Sequence, residues 1–387
     1  MSAQDTTSTA PATPKVSWPL EGALVSAALA AQRIQWIDAP ARALGLTPFT
    51  RRQLTRQALA QVRRTSGGRP ARVHTAFGSF LMPFDADDAR SLIAAAVDAH
   101  AQGTVSAFTD DGTRIHLAPH TPLAVPVAAL RAHVLEVAAD TAGALLAARQ
   151  ADSSLLPQDW ESHVRRAARR IVLGDEAAPD ALISDILDAT VHAADEEEHE
   201  ARKAALHRRL PLYAAYAPVG ETAVEHALQV VTQALTETAA QALALMAGQP
   251  RQPAADPVEQ AVSEALRHYP PLSATRHRVL SPFTWHGMTI DAGTEILCAT
   301  TWLRDLDDTH GHLHLDPSTA LCAAPAPCDA AGLAILAAGA LLRGLTRDAE
   351  PAVHAPRLTP GAPPASLPAR SLRLALVDRA GPDRAGA

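Results

Sequence analysis

Three cysteines, Cys298, Cys322 and Cys328, stand in 387 residues, and the last immediately precedes an apolar run at 330–342. A thiol acts as nucleophile or metal ligand only as the thiolate, and the positive end of a helix opening at Cys328 would favour that form. The plain alternative is a buried structural cysteine, a common fate of free Cys. Cys322 and Cys328 could instead pair or share a metal, although no Cys-x-x-Cys or matching histidine spacing points to zinc. His310, His312 and His314 alternate ahead of Asp316. On a strand they would share one face, a possible metal face. No strand-rich core surrounds them in sequence.

Charged residues add two further patterns. Glu264 and Arg267 are three apart, hence neighbours on one helix face, and an exposed pair of that kind contributes only ~0.3–0.5 kcal/mol. Arg165, Arg166, Arg169 and Arg170 share a face of a helix expected over 160–173. Such a face is either solvated or a docking patch for an acidic partner.

The whole chain sets bounds on these possibilities. A net charge of -7 argues against a nucleic-acid partner, since phosphate contacts need a basic surface. Hydrophobic residues at 47% suit a globular chain with a sizeable core. Three cysteines cannot build a disulfide framework, so a reducing, cytoplasmic setting is expected. The Ser/Thr/Ala/Pro-rich stretch 1–17 lacks the basic start and apolar core of a secretory signal and is expected to be a disordered tail. The apolar stretches 20–36 and 330–342 fall short of the roughly 20 apolar residues a membrane span needs, so no membrane is expected.

Helical periodicity marks most of what must position these residues. Helices are expected over 20–45, 51–64, 126–151, 160–173, 221–247 and 257–269, the last stopped by Pro270-Pro271. Asp85 should cap a helix running to His100, following a hairpin of 71–77 and 80–84. Residues 102–112 read as a loop. The acidic run 195–200 reads as an exposed helix start. Segments 284–285, 288–290 and 294–298 read as one small antiparallel sheet, and 371–377 as a last strand.

The order Glu264-x-x-Arg267, Tyr269-Pro270-Pro271, Arg276, hairpin, Arg304-Asp305, then Cys328 at a helix start resembles the cytochrome P-450 family over the C-terminal third. The stretch RRAARRIVLGDEA beginning at Arg165 resembles one found in short bacterial members. The resemblance implies a mainly α fold with small β-sheets over a single domain, 18–387, with a long central helix and a proximal cysteine loop and helix. It implies haem b (iron protoporphyrin IX) with Cys328 as its iron ligand and Arg276 on a propionate, Arg114 and His116 being further candidates. Glu264 and Arg267 become a structural ion pair. Thiolate ligation pushes electron density onto iron and favours O–O cleavage. The activity implied is a monooxygenase that oxidises an apolar small molecule with O₂ and electrons from a ferredoxin/ferredoxin reductase type of partner.

The sequence departs from the family at several of these places. Leu321 and Ala324 replace the Phe-x-x-Gly ahead of the cysteine, Ala326 the basic residue and Ala330 the following glycine. The proton-delivering acid and threonine of the central helix align with Gln233 and Ala234, while Glu237-Thr238 offers the same residue types one turn later. These departures suit a second class, a catalytically silent P-450-like auxiliary protein that keeps the fold and loses the haem, as some relatives do in serving glycosyltransferases.

Overall fold

The computed structural model describes residues 15–16, 18–32, 50–109, 113–248, 256–299, 317–325, 327–358, 363–364 and 366–379. Expectations for Arg304-Asp305, the histidines at 310, 312 and 314, Asp316 and Ala326 lie outside those residues. The chain forms two compact units, where no boundary is legible in the sequence. The first comprises Met1–Thr113, Ser273–Leu315 and Ala324–Ala326, the second Arg114–Leu272, Asp316–Ala323 and Pro327–Ala387.

The first unit is built on a mixed sheet. Its strands are β1 (Lys15–Val16), β2 (Ala71–Thr75), β3 (Gly78–Met82), β4 (Gln102–Phe108), β5 (Ala274–Val279) and β8 (Glu295–Cys298). They lie in the order β1-β2-β3-β8-β5-β4. A separate hairpin joins β6 (Phe283–Trp285) to β7 (Met288–Ile290). Alternation along each strand sends side chains to opposite faces. Phe80 and Met82 therefore join one core cluster with Val25, Leu59 and Val62, from α1 (Pro19–Gln32) and α2 (Arg51–Ser66). Leu81 joins the other, with Leu92 and Ile93 of α3 (Ala86–Asp98) and Trp285 of the hairpin. Asp85 caps α3 as expected, its carboxylate accepting from the backbone N–H groups of Asp87 at 2.8 Å and Asp88 at 3.4 Å.

Three expectations need correction in this unit. Lys15–Val16, placed in a tail, pairs with β2. The loop expected over 102–112 contains β4, whose ladder with β5 sets Ser106 opposite Arg276. The late sheet is not one element, because β8 pairs with β3 and β5 and only β6 and β7 form the small hairpin.

The second unit is helical. It contains α4 (Val127–Ala147), α5 (Pro157–Leu173), α6 (Ala181–Val191) and α7 (Glu196–Arg209). The long central stretch follows as α8 (Val224–Gln233), a π turn (Ala234–Thr238) and α9 (Ala239–Gly248). Then come α10 (Pro257–His268), started by Asp256 as cap and Pro257, and α11 (Asp329–Thr346). Every side chain from Ala239 to Leu245 is buried, as in a helix crossing a core. The apolar run expected to stop at 13 residues extends over the 18 of α11, long and apolar enough to cross a membrane, and 61% of it is buried inside the unit as a core helix is. Two strands, β9 (Ala349–Ala355) and β10 (Arg373–Asp378), close the chain as an antiparallel pair.

The arginine face on α5 is not a solvated stripe. Arg165 bridges Glu161 and Asp188, and Arg170 bridges Asp140 and Asp175. Arg169 is only 4% exposed and is held inside the unit by Ala178 and Ser184. Acidic partners are already supplied by neighbouring helices and turns of the same unit. In the acidic start of α7, Asp195, Glu196, Glu197 and Glu200 are exposed as expected, while Glu198 is half-buried and His199 is buried.

Candidate functional site

Cys328 is the N-cap residue of α11, where the chain is still extended, and its carbonyl accepts the first helical bond from Gly332. The thiol is therefore delivered at the positive end of a long apolar helix, 4% exposed. Around it the second unit gathers three other ligand-type side chains. Cys322 follows the single-turn helix Pro317–Ala320 and is buried. His226 lies on α8, its Nε2 3.3 Å from Cys322 Sγ and 3.9 Å from Cys328 Sγ. His120 is on the exposed loop before α4, its Nδ1 3.7 Å from Cys322 Sγ. All four donor atoms lie within 4.8 Å of one another.

Hydrogen bonds fix this arrangement. His226 Nδ1 is turned to the Thr121 backbone, accepting from its N–H at 3.4 Å with its carbonyl 3.3 Å away, so the Nε2 edge of the ring faces the two sulfurs. Gln229, one turn along α8, accepts from Ala118 N–H at 2.7 Å and donates to the His116 carbonyl at 2.9 Å. The loop that carries His120 is thus tied to α8 on both sides of its imidazole. Cys328's thiol is held below its ordinary pKa chiefly by the hydrogen bond to Cys322, with His120 and His226 adding to it against the effect of burial. Cys298, in the first unit, behaves oppositely, since burial pushes its thiol up to about 12.

Gly220 sets how closely this loop approaches the start of α8. Its φ of 91° is a conformation L side chains avoid, and a Cβ there would collide with the Ala124 Cβ. Ala124 N–H donates to Val219 at 3.0 Å, so the collision cannot be relieved without releasing the loop. Gly220→Ala should therefore cost about 1–3 kcal/mol, read as a lower urea midpoint at unchanged m-value. An unchanged midpoint would show that the loop is not held in this way.

The remaining sequence-selected residues are distributed elsewhere. Arg276, expected on a haem propionate, is in the first unit on β5, where its guanidinium pairs with Glu295 of β8 and lies 6.0 Å from the Phe80 ring centroid. Arg114 is exposed at the start of the strand Arg114–Leu117. His116 on that strand is buried and stacked on His199 at 4.3 Å; burial first, then the neighbouring His199, lowers its pKa to about 4. Glu264 and Arg267 lie on α10, with Gln260 donating to Glu264 at 3.0 Å. Glu237 and Thr238 fall in the π turn, roughly 15 Å along the axis from His226. Among the described residues of the second unit, none of the others named here supplies a donor atom to the group around Cys328.

His120 and His226 are the functional residues that sequence reasoning missed. His226 is 96 residues from Cys322 and His120 is 202 from it, which leaves no local spacing to recognise. A porphyrin bound through Cys328 would have to take the place of His226, Cys322 and His120 at that sulfur. As arranged, these side chains fit a single ion and not a flat macrocycle.

No protein-family model matches the chain, and no curated protein matches it. Solved structures do. A variant of cytochrome P-450 OleT in complex with arachidonic acid aligns over 95% of this chain and 99% of its own, at 10% identity and a TM-score of 0.51. A cytochrome P-450 from Thermus thermophilus aligns over 84% of this chain and 96% of its own, at 15% identity and a TM-score of 0.48. A six-coordinated cytochrome P-450 from the same species covers 84% and 98%, at 14% identity and a TM-score of 0.46. Sequence identity this low speaks for architecture alone, and on the alignment that spans 95% of its length the chain has the mainly α, small-sheet fold of the haem-thiolate cytochromes P-450.

Proposed function

We propose that this chain is a haem-free protein of the P-450 fold, an auxiliary that serves a partner protein and carries out no oxygenation of its own. The observation that carries this reading is the crowding of Cys328 Sγ by His226 from the central helix, together with Cys322 and His120. In a haem-thiolate centre that sulfur would face iron. Here it faces an imidazole 3.9 Å away. The sequence around the cysteine agrees: Ala324 and Ala330 stand where glycines would allow close backbone approach, and Ala326 stands where a basic side chain would pair with a propionate. With Gln233 and Ala234 in the central helix, the side chains that would feed protons to bound oxygen are also missing at their aligned places.

The competing reading is the haem b monooxygenase with a ferredoxin-type electron donor and an apolar substrate. It draws support from Glu264, Arg267 and Arg276 and from the placement of Cys328 at a helix start. The two separate in one measurement. Protein expressed with added haem precursor should contain well under a tenth of an equivalent of haem by pyridine haemochrome, and should show no thiolate-type Soret shift when reduced under carbon monoxide. Stoichiometric haem with that shift, abolished by Cys328→Ser, would overturn the haem-free reading and restore the monooxygenase.

A further inference from the structure

We propose that His120, His226, Cys322 and Cys328 form a closed, tetrahedral zinc site in the second unit. The donor set is two thiols and two imidazoles, the Cys₂His₂ composition that selects zinc over hard cations. Four protein ligands fill the coordination sphere, which marks the site as structural. Spacing supports the same geometry. Zinc–sulfur bonds of about 2.3 Å and zinc–nitrogen bonds of about 2.0–2.1 Å place neighbouring S and N donors of a tetrahedron roughly 3.5 Å apart. The measured S–N separations, 3.3, 3.7 and 3.9 Å, bracket that figure.

The surroundings are those of a metal site. The outer nitrogen of His226, Nδ1, is anchored by the Thr121 backbone, whose N–H and carbonyl lie 3.4 and 3.3 Å away, and this orients Nε2 toward both sulfurs. Two thiolates neutralise the charge of the ion, so a buried site needs no further counter-charge. Three ligands are buried and His120 is exposed, which leaves a solvent route to the ion. The ligands come from the loop before α4, from α8, from the segment after Pro317–Ala320 and from the cap of α11. An ion would cross-link three regions of the unit that are far apart in sequence, around His120, around His226 and around Cys322 and Cys328. The inference shares the cluster with the haem-free reading, but metal and haem content are measured separately.

The test uses the full chain. Purified without chelator, it should carry a single zinc ion per chain by elemental analysis. After chelator stripping under reductant, cobalt(II) should bind with the visible ligand-field bands of a tetrahedral ion and a thiolate-to-cobalt charge-transfer band in the near ultraviolet. Cys322→Ser and Cys328→Ser should each reduce that band by about half, because each removes one of two thiolates. Cys298→Ser should leave it unchanged. His120→Ala, at an exposed position that folding tolerates, should weaken zinc binding at least ~10-fold. Zinc should also slow the reaction of Cys322 and Cys328 with a disulfide reagent. A protein free of haem that binds cobalt without the charge-transfer band, keeps the band intact in Cys322→Ser, or isolates with a Cys322–Cys328 disulfide would overturn the zinc site alone. Stoichiometric haem without zinc would overturn both readings.

Discussion

Arg169→Ala should lower the stability of the second unit by about 3–5 kcal/mol, the largest loss expected of any single charge removal described for that unit. Arg169 sits in α5 with 4% of its surface exposed. Its Nη2 and Nε donate to the Ala178 carbonyl at 2.7 and 3.2 Å, and its Nη1 donates to Ser184 Oγ at 2.6 Å. The guanidinium thereby ties the turn after α5 to the start of α6. Truncation orphans a buried carbonyl and a buried hydroxyl, at ~1–3 kcal/mol each, and removes the packing of a long aliphatic stem. Burying the cation has its own desolvation cost, which its removal returns, so the net falls below the sum of those losses. Arg169→Met separates the contributions. It retains the stem, orphans the same two acceptors, and should recover only part of the loss. Urea midpoints at unchanged m-value make the comparison. If Arg169→Ala came within 1 kcal/mol of the parent protein, or Arg169→Met matched it, the hydrogen bonds would not be the anchor claimed for them.

That anchor shows where sequence reasoning stops. A face with four arginines reads as solvated because charge is usually exposed, and nothing in the spacing says that Asp140, Asp175, Asp185 and Asp188 will converge on it. Local signals fared better where local physics decides the outcome. Asp85 caps the helix that follows, because a carboxylate one residue before a helix meets unpaired N–H groups whatever the rest of the chain does. The unbroken apolar run Phe80–Met82 likewise puts apolar side chains on both faces of the sheet. The strand β4 does not stand out because its alternation is short and weak, Val105 and Ala107 set among Gly103, Thr104 and Ser106; its place is set by pairing with β5, a long-range contact. Helix α6 is short and follows Pro179-Asp180 without a side-chain cap, so neither its start nor its period stands out. The site lies furthest from sequence legibility. Cys328 was identifiable from the helix behind it, whereas His226 looks like one polar residue on an apolar helix and His120 like a loop residue. Only the packing of α8 against α11 and the preceding loop makes them neighbours of a thiol.

Acid should weaken the first unit through one residue. His277 lies on β5, 2% exposed, opposite Ile296 of β8 and Val105 of β4. Its Nε2 is 3.0 Å from Thr275 Oγ1, and its Nδ1 is buried without a hydrogen-bond partner among the described residues. Burial alone lowers its pKa to about 4, so the folded unit holds the ring neutral. In the unfolded chain the same ring titrates near 6.5. The unfolded state therefore binds the proton first as pH falls. The neutral ring costs nothing above about pH 6.5; stability then declines through the window between 6.5 and 4, and the loss levels off below it. Between pH 7.5 and 4.5 the expected loss is about 2–3 kcal/mol. His277→Gln keeps a polar group beside Thr275 but has no proton to gain, so its stability should be flatter over that interval by the same amount. His116 contributes a slope of the same sign in the second unit, which is why the comparison is made between the parent chain and the single variant at both pH values. Parallel pH profiles for the two proteins would mean that His277 is already protonated, or solvated, in the folded state.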